Sequence, residues 1–148
     1  MLAHTWRPHG AASIWLEVGH RIPIIGSSSG AGFLAALNES EFAHISSVLE
    51  KAQKGEGSKA GAELQRARNQ YLSCGFVYSI ANWTPTVTAV SVPFRSREFG
   101  EPIVLSFGAL PETLTEDRII NEVGPKLKSL VRELEQAMGL PPTMVDLV

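Results

Sequence analysis

The chain has 148 residues, 44% of them hydrophobic, and a formal charge of -2 from 13 basic and 15 acidic side chains. That is enough chain for one well-filled domain and too little for two. It also provides no overall attraction for a nucleic-acid backbone or an anionic membrane. The single Cys74 cannot form an internal disulfide, and His4, His9, His20 and His44 stand at no metal-ligating spacing, so neither a disulfide scaffold nor a zinc site is expected and a reducing cytoplasm is the expected compartment. No run of about 18 apolar residues predicts a membrane span. No signal-peptide pattern and no cofactor-binding fingerprint is present.

In chain order, "MLAHTW" and "ASIWLEV" are short, apolar and aromatic, and the turn-prone "RPHG" between them predicts a strand pair. "PIIGSSSGAGFLAAL" (Pro23 to Leu37) follows: an apolar run, a Gly and Ser cluster, and an Ala-rich stretch that predicts a short helix from Ser29 to Leu37. Asn38 with Glu41 three residues on forms a capping box, and Phe42, Ile45, Val48, Leu49 and Ala52 repeat at helical spacing. "KGEGSK" breaks that helix. Ser58 is placed to cap the next one, with Leu64, Ala67, Tyr71 and Leu72 on one face and Gly75 at its end.

Two strands come next. In "TVTAVSVPF" (Thr86 to Phe94), Val90, Val92 and Phe94 alternate with Ala89, Ser91 and Pro93. In "PIVLSFG", Ile103, Leu105 and Phe107 alternate with Val104, Ser106 and Gly108. Each strand therefore has a bulky face that needs helices packed on it and a small, partly polar face with room for a ligand. Thr115 caps a last helix with Glu116 and Asp117 in its first turn. Its apolar stripe runs through Ile119, Ile120, Val123, Leu127, Leu130, Val131, Leu134 and Met138; Pro125 bends it and Gly139 stops it. Lys126, Lys128 and Arg132 fall on its polar side. Strands, three helices, strands and a helix make an α+β order with an antiparallel sheet flanked by helices, not a βαβ alternation.

"GSSSGAG" admits three readings. Gly26, Ser28 and Gly30 spell the G-x-S-x-G of a hydrolase nucleophile turn, but that arrangement needs an acid and then a histidine after the serine. Only His44 follows Ser28, with no Asp between them. A Walker-type phosphate loop needs Gly-Lys-Ser/Thr where Ala31 and Gly32 follow Gly30, and the Rossmann fingerprint lacks its third glycine and its frame. What remains is either a helix start whose backbone N–H groups and dipole suit a carboxylate or phosphate, or a purely structural start in which Ser29 caps the helix and Gly30 and Gly32 let it pack on the sheet. Trp83, in the aperiodic "SIANWTPT", either plugs a loop or lines a pocket.

The order of motifs resembles the effector-binding domain of IclR-type bacterial transcriptional regulators. The matching segments are "VGHRIPI" (Val18 to Ile24), "SSSG" with "FLAALNESE", "CGFVYS" (Cys74 to Ser79), "TAVSVPF", "PIVLSFGAL" and the helix from Thr115, in order along nearly the whole chain. The resemblance implies a GAF-like fold enclosing a small-molecule effector, commonly a carboxylate. It implies that Ser28 and Ser29 offer backbone amides to the effector, that Ser79, Ala89, Ser106 and Gly108 are polar contact positions, and that Ile14, Ile22 and Val87 form an apolar wall. It further implies a homodimer or homotetramer, no catalysis, and DNA binding only through a winged helix-turn-helix domain that precedes this one in the family and has no counterpart in this sequence. Three departures stand out. Ala31 replaces a usual Lys or Arg, Ser79 to Asn82 replace acidic residues, and Ala89 replaces a polar or sulfur-bearing residue. With that acid lost and Trp83 gained, a less polar pocket and a larger or more aromatic effector than a short keto acid are expected. The alternatives are an assembly module without ligand and a small hydrolase using Ser28.

Overall fold

The structure, a computed structural model, describes residues 18–96, 100–141 and 143. The predicted strand pair at the start of the chain, with Ile14, Trp6 and Trp15, lies outside the described residues. From there the order is α1 (Ser28–Ala35), α2 (Glu39–Ala52), α3 (Glu56–Cys74), β1 (Val77–Ile80), β2 (Thr88–Arg95), β3 (Pro102–Ala109), α4 (Glu116–Arg118), a π-helical turn (Ile119–Val123) and α5 (Gly124–Ala137). The three strands form an antiparallel sheet in the order β1-β2-β3. The α+β class expected from the sequence is what the chain adopts.

The alternation along β2 sets the layers. Val90, Val92 and Phe94 turn to the bulky face and join Phe76, Leu114, Ile119 and Val131 in one buried apolar cluster. Ile103, Leu105 and Leu127 pack against its rim. Burying such side chains stabilises by roughly 1.5–3 kcal/mol each, so this face holds the sheet to the C-terminal helix. Phe107 departs from the pattern: it is 47% exposed although its cross-strand partner Val90 is fully buried.

Local chemistry explains the helix boundaries. Asn38 accepts from the Glu41 amide at 2.9 Å while the Glu41 carboxylate accepts from the Asn38 amide at 2.8 Å, the full capping box. Gly75 ends α3 with φ +82°, as its sequence position implies. Ser58 does not cap α3. The helix starts earlier, at Gly55, and its first amides are met from α2: the Glu50 carboxylate accepts from Gly55 at 2.9 Å and from Gly57 at 3.0 Å. Those two bonds hold the Glu50 carboxyl below its ordinary pKa. Leu72 is also misplaced by periodicity, since it is 70% exposed while Ala60 and Ala67 form the buried line of α3; it lies one residue, about 100°, past Tyr71.

Thr115 caps α4 as expected, accepting from the Arg118 amide. Pro125 acts one step earlier than a simple bend. It has no amide to give Asn121, and just before it the helix widens so that the Gly124 amide reaches back five residues to the Ile119 carbonyl. Ile120, Leu130 and Met138 are 45%, 46% and 44% exposed, so the apolar stripe is broader than the sheet it covers. Lys128 is not on the solvated side. Its ammonium donates to the Cys74 carbonyl at 3.3 Å, at the C-terminal end of α3 where the dipole favours a cation.

Candidate functional site

The site lies on the other face of the sheet. Cross-strand partners share a face, so the register aligns Ser79, Ala89 and Gly108 in one row across the three strands and Val77, Ser91 and Ser106 in the next. Val104 and Pro93 form a third row beyond them. These are small residues throughout, and none is ionisable.

Helix α1 lies on this face, covering part of the space that the strand alternation leaves open. Gly32 makes the approach possible: a Cβ there would stand 3.0 Å from Val104 Cγ1 and 3.5 Å from both Ser91 Cβ and Val77 Cγ2. Gly30 is equally constrained, because a Cβ would collide with the Ile24 backbone. The purely structural reading therefore holds for Gly32, which lets the helix pack on the sheet, while Gly30 makes room for the Ile24 backbone and not for the sheet. The same reading's assignment of the cap does not hold. Ser27, not Ser29, is the N-cap, accepting from the Gly30 amide at 2.9 Å and donating to the Pro23 carbonyl at 2.6 Å. With Ser27 taken up in capping, Ser28 and Ser29 are free to turn toward the sheet.

They do so through their hydroxyls. The Ser91 hydroxyl, fully buried, donates to Ser28 Oγ at 2.9 Å. Ser91 Oγ lies 2.7 Å from Ser106 Oγ, and Ser106 Oγ lies 2.9 Å from Ser29 Oγ. Four hydroxyls thus stitch the first turn of α1 to β2 and β3. The backbone amides of Ser28 and Ser29 are first-turn amides that the helix itself cannot satisfy, and they carry no protein partner among the described residues. No ionisable side chain comes from α1 or from the strand positions facing it, and Ala31, where a cation was the family expectation, is fully buried. An anion seated here would meet amides, hydroxyls and the helix dipole.

The remaining candidates frame this cluster unequally. Val87 borders Gly108, with Val87 Cγ1 3.8 Å from where a Gly108 Cβ would sit. Ser79 is buried and Ala89 half-buried, while Ser106 and Gly108 are exposed. Trp83 sits half-buried in the loop after β1. That loop carries Ala81 at φ +46° and is tied to the turn before α1 by Asn82 Nδ2, which donates to the Gly26 carbonyl at 3.0 Å. Ile22 is half-buried in the segment leading to α1. Ile14 lies outside the described residues. Ser91 was missing from the residues singled out by sequence, although its alternation with Ala89 already put it on the small face. Asn82 entered the sequence reading only as one of the positions that replace acidic residues, with no sign of its bond to the turn before α1.

As a hydrolase turn, the arrangement fails. Ser28 is buried in the first turn of a helix and its partner is the Ser91 hydroxyl, which is no general base. His44 is an exposed residue of α2. Among the described residues no group of three or more His, Cys, Asp or Glu side chains is placed to hold a metal ion. Among them, too, no helix is long and apolar enough to cross a membrane.

No protein-family model and no curated protein matches the sequence. Solved structures do match. An IclR family transcriptional regulator from Brucella abortus superimposes with a TM-score of 0.74 at 26% identity, over 84% of this chain and 47% of its own. The chain has the fold of the IclR-family regulators. It is also similar to the inducer-binding domain of the transcription factor PobR from Acinetobacter, a double mutant in complex with 3-hydroxybenzoic acid, with a TM-score of 0.62 at 18% identity over 88% of this chain and 77% of that one. An IclR homolog from Microbacterium hydrocarbonoxydans, complexed with 4-hydroxybenzoate, matches with a TM-score of 0.55 at 24% identity over 84% of this chain and 52% of its own. The chain spans about half the length of the two full regulators. The structural neighbours are transcriptional regulators, not enzymes.

Proposed function

We propose that this chain is the effector-sensing domain of an IclR-type transcriptional regulator and that its effector is a small organic acid, aromatic in preference to short and aliphatic. The observation that carries the reading is the start of α1, whose Ser28 and Ser29 amides are spare donors beside a small, uncharged face of the sheet. The effector carboxylate is received by those two amides. Ser79, Ala89, Ser106 and Gly108 line the polar side, and Val87, Ile22 and Trp83 the apolar side. Two neighbours of the same fold carry hydroxybenzoates, which supports an aromatic acid, and the uncharged lining favours a ring over a strongly hydrated short acid.

In the intact regulator the domain acts in the cytoplasm as part of a homodimer or homotetramer, and DNA is held by a separate reader domain, consistent with the slightly acidic balance of this chain. Effector binding changes the spacing of the readers through differential affinity for two arrangements of the assembly. A thermal-shift screen of the purified chain against aliphatic and aromatic carboxylates tests the effector assignment. Stabilisation should saturate as RT ln(1 + [L]/Kd) for aromatic acids and vanish in Ser106→Leu. Stabilisation by pyruvate and similar acids alone would overturn the aromatic preference, and no response to any acid would leave the site a helix start and the chain an assembly module.

A further inference from the structure

The serine chain has a direction, and the direction decides what the site can recognise. A serine hydroxyl has one proton to give and two lone pairs with which to accept. Ser91 spends its proton on Ser28 Oγ, at 2.9 Å. The 2.7 Å contact between Ser91 and Ser106 must then be donated by Ser106, whose own proton is thereby committed inward. Only Ser29 is left to donate across the 2.9 Å contact to Ser106. The order is Ser29 to Ser106 to Ser91 to Ser28. Ser106, the exposed member on β3, therefore faces the site as an acceptor and has no proton for a ligand.

We infer that Ser91 is a specificity-determining positioning residue: by fixing Ser106 as an acceptor, it makes the site select acids that also carry a hydroxyl donor over the same acids without one. The inference rests on the effector reading above. The two ends of the site are then complementary in kind, with the amides of Ser28 and Ser29 donating to a carboxylate and Ser106 Oγ accepting from the ligand hydroxyl. An ether oxygen at the same place meets a lone pair instead of a proton, and one buried polar group is left unmatched. Ser91 itself is fully buried and touches no ligand; it acts through Ser106.

Isothermal titration of the purified chain with benzoate, the three hydroxybenzoates and the three methoxybenzoates tests this. At least one hydroxybenzoate should bind about tenfold more tightly than benzoate and than its methoxy counterpart, the scale of one matched hydrogen bond. In Ser91→Ala the Ser106 proton is released and can turn outward. The preference for hydroxy over methoxy should then fall to about twofold or less while benzoate affinity stays within about threefold, changes of the size of a lost or redirected hydrogen bond. Ser91→Cys, a weaker donor of similar volume, replaces the alanine variant if that one does not fold. Equal binding of hydroxy, methoxy and unsubstituted acids by the unaltered chain would overturn the inference and leave the effector reading standing. An unchanged preference in the Ser91 variants would overturn the role of Ser91. No binding by any of the seven acids would overturn the effector reading itself.

Discussion

Strand β2 has two faces and closes them by different physics. Val90, Val92 and Phe94 close the first with hydrocarbon, in a cluster where contact is dense and non-directional. Ala89, Ser91 and Pro93 leave the second face to glycine-permitted approach and to hydroxyls bonded to hydroxyls. A face sealed by hydrocarbon has one stable answer. A face sealed by hydroxyls can exchange a protein partner for a ligand at little net cost, since a typical hydrogen bond is worth only about 1 kcal/mol net. Stability and the proposed sensing site thereby fall on opposite sides of one strand.

That division can be broken from either side. Phe76→Ala, on the hydrocarbon face, should cost about 3–5 kcal/mol in urea denaturation, and the response to ligand should disappear only as folding does. On the hydroxyl face, Gly32→Val should cost about 1–3 kcal/mol by overpacking against Val104 and Ser91. It should also displace α1 and with it the proposed effector site, so that ligand-induced stabilisation falls even where the folded state persists. Ser106→Leu sharpens the contrast: stability without ligand should change by about 1 kcal/mol or less, the range for an exposed position, while the thermal response to aromatic acids is lost. If Ser106→Leu unfolded the chain, the two faces would not be separable in this way.

A pH measurement probes a third seam, between α2 and β2. The Arg95 guanidinium donates to both oxygens of Glu41, with Nη1 to Oε1 at 2.9 Å, and to the Ala36 carbonyl at 2.7 Å, closing the end of α1. The hydrogen bond from Arg95 is the main cause holding the Glu41 carboxyl below its ordinary value. The unfolded chain then binds the proton more readily. The stabilisation is complete above the unfolded glutamate value of about 4.3 and is lost as the pH falls through the lower folded value. Glu41→Gln should lower the melting temperature at neutral pH by a few degrees and flatten the loss of stability on acidification below about pH 5. The smallest effect belongs to Lys128→Ala, about 0.5 kcal/mol from one cation at the end of α3.

Much of this was legible in residue order. The capping box of Asn38 and Glu41, the Gly75 stop, the Thr115 cap and the alternation in β2 are local rules, in which neighbours a few residues apart settle the outcome. The same alternation pointed to the small face and to Ala89, Ser106 and Gly108. Misreadings occurred where a distant group intervened. Glu50 reached across from α2 to start α3 before Ser58 could cap it, and Lys128 turned from solvent to the Cys74 carbonyl. Ser27 took the cap assigned to Ser29 because both serines suit the position and only the packing of Gly30 against Ile24 fixes where the helix begins.

The sequence by itself determined which residues were small, which were bulky and where the helices could start and stop, because propensity, periodicity and capping act within one or two turns. Only the tertiary structure decided that Ser28, Ser29, Ser91 and Ser106, up to 78 positions apart in the chain, meet in one line of hydroxyls. Hydrogen-bond direction depends on which proton is already spent, and that is a property of the assembled set and of no single residue in it.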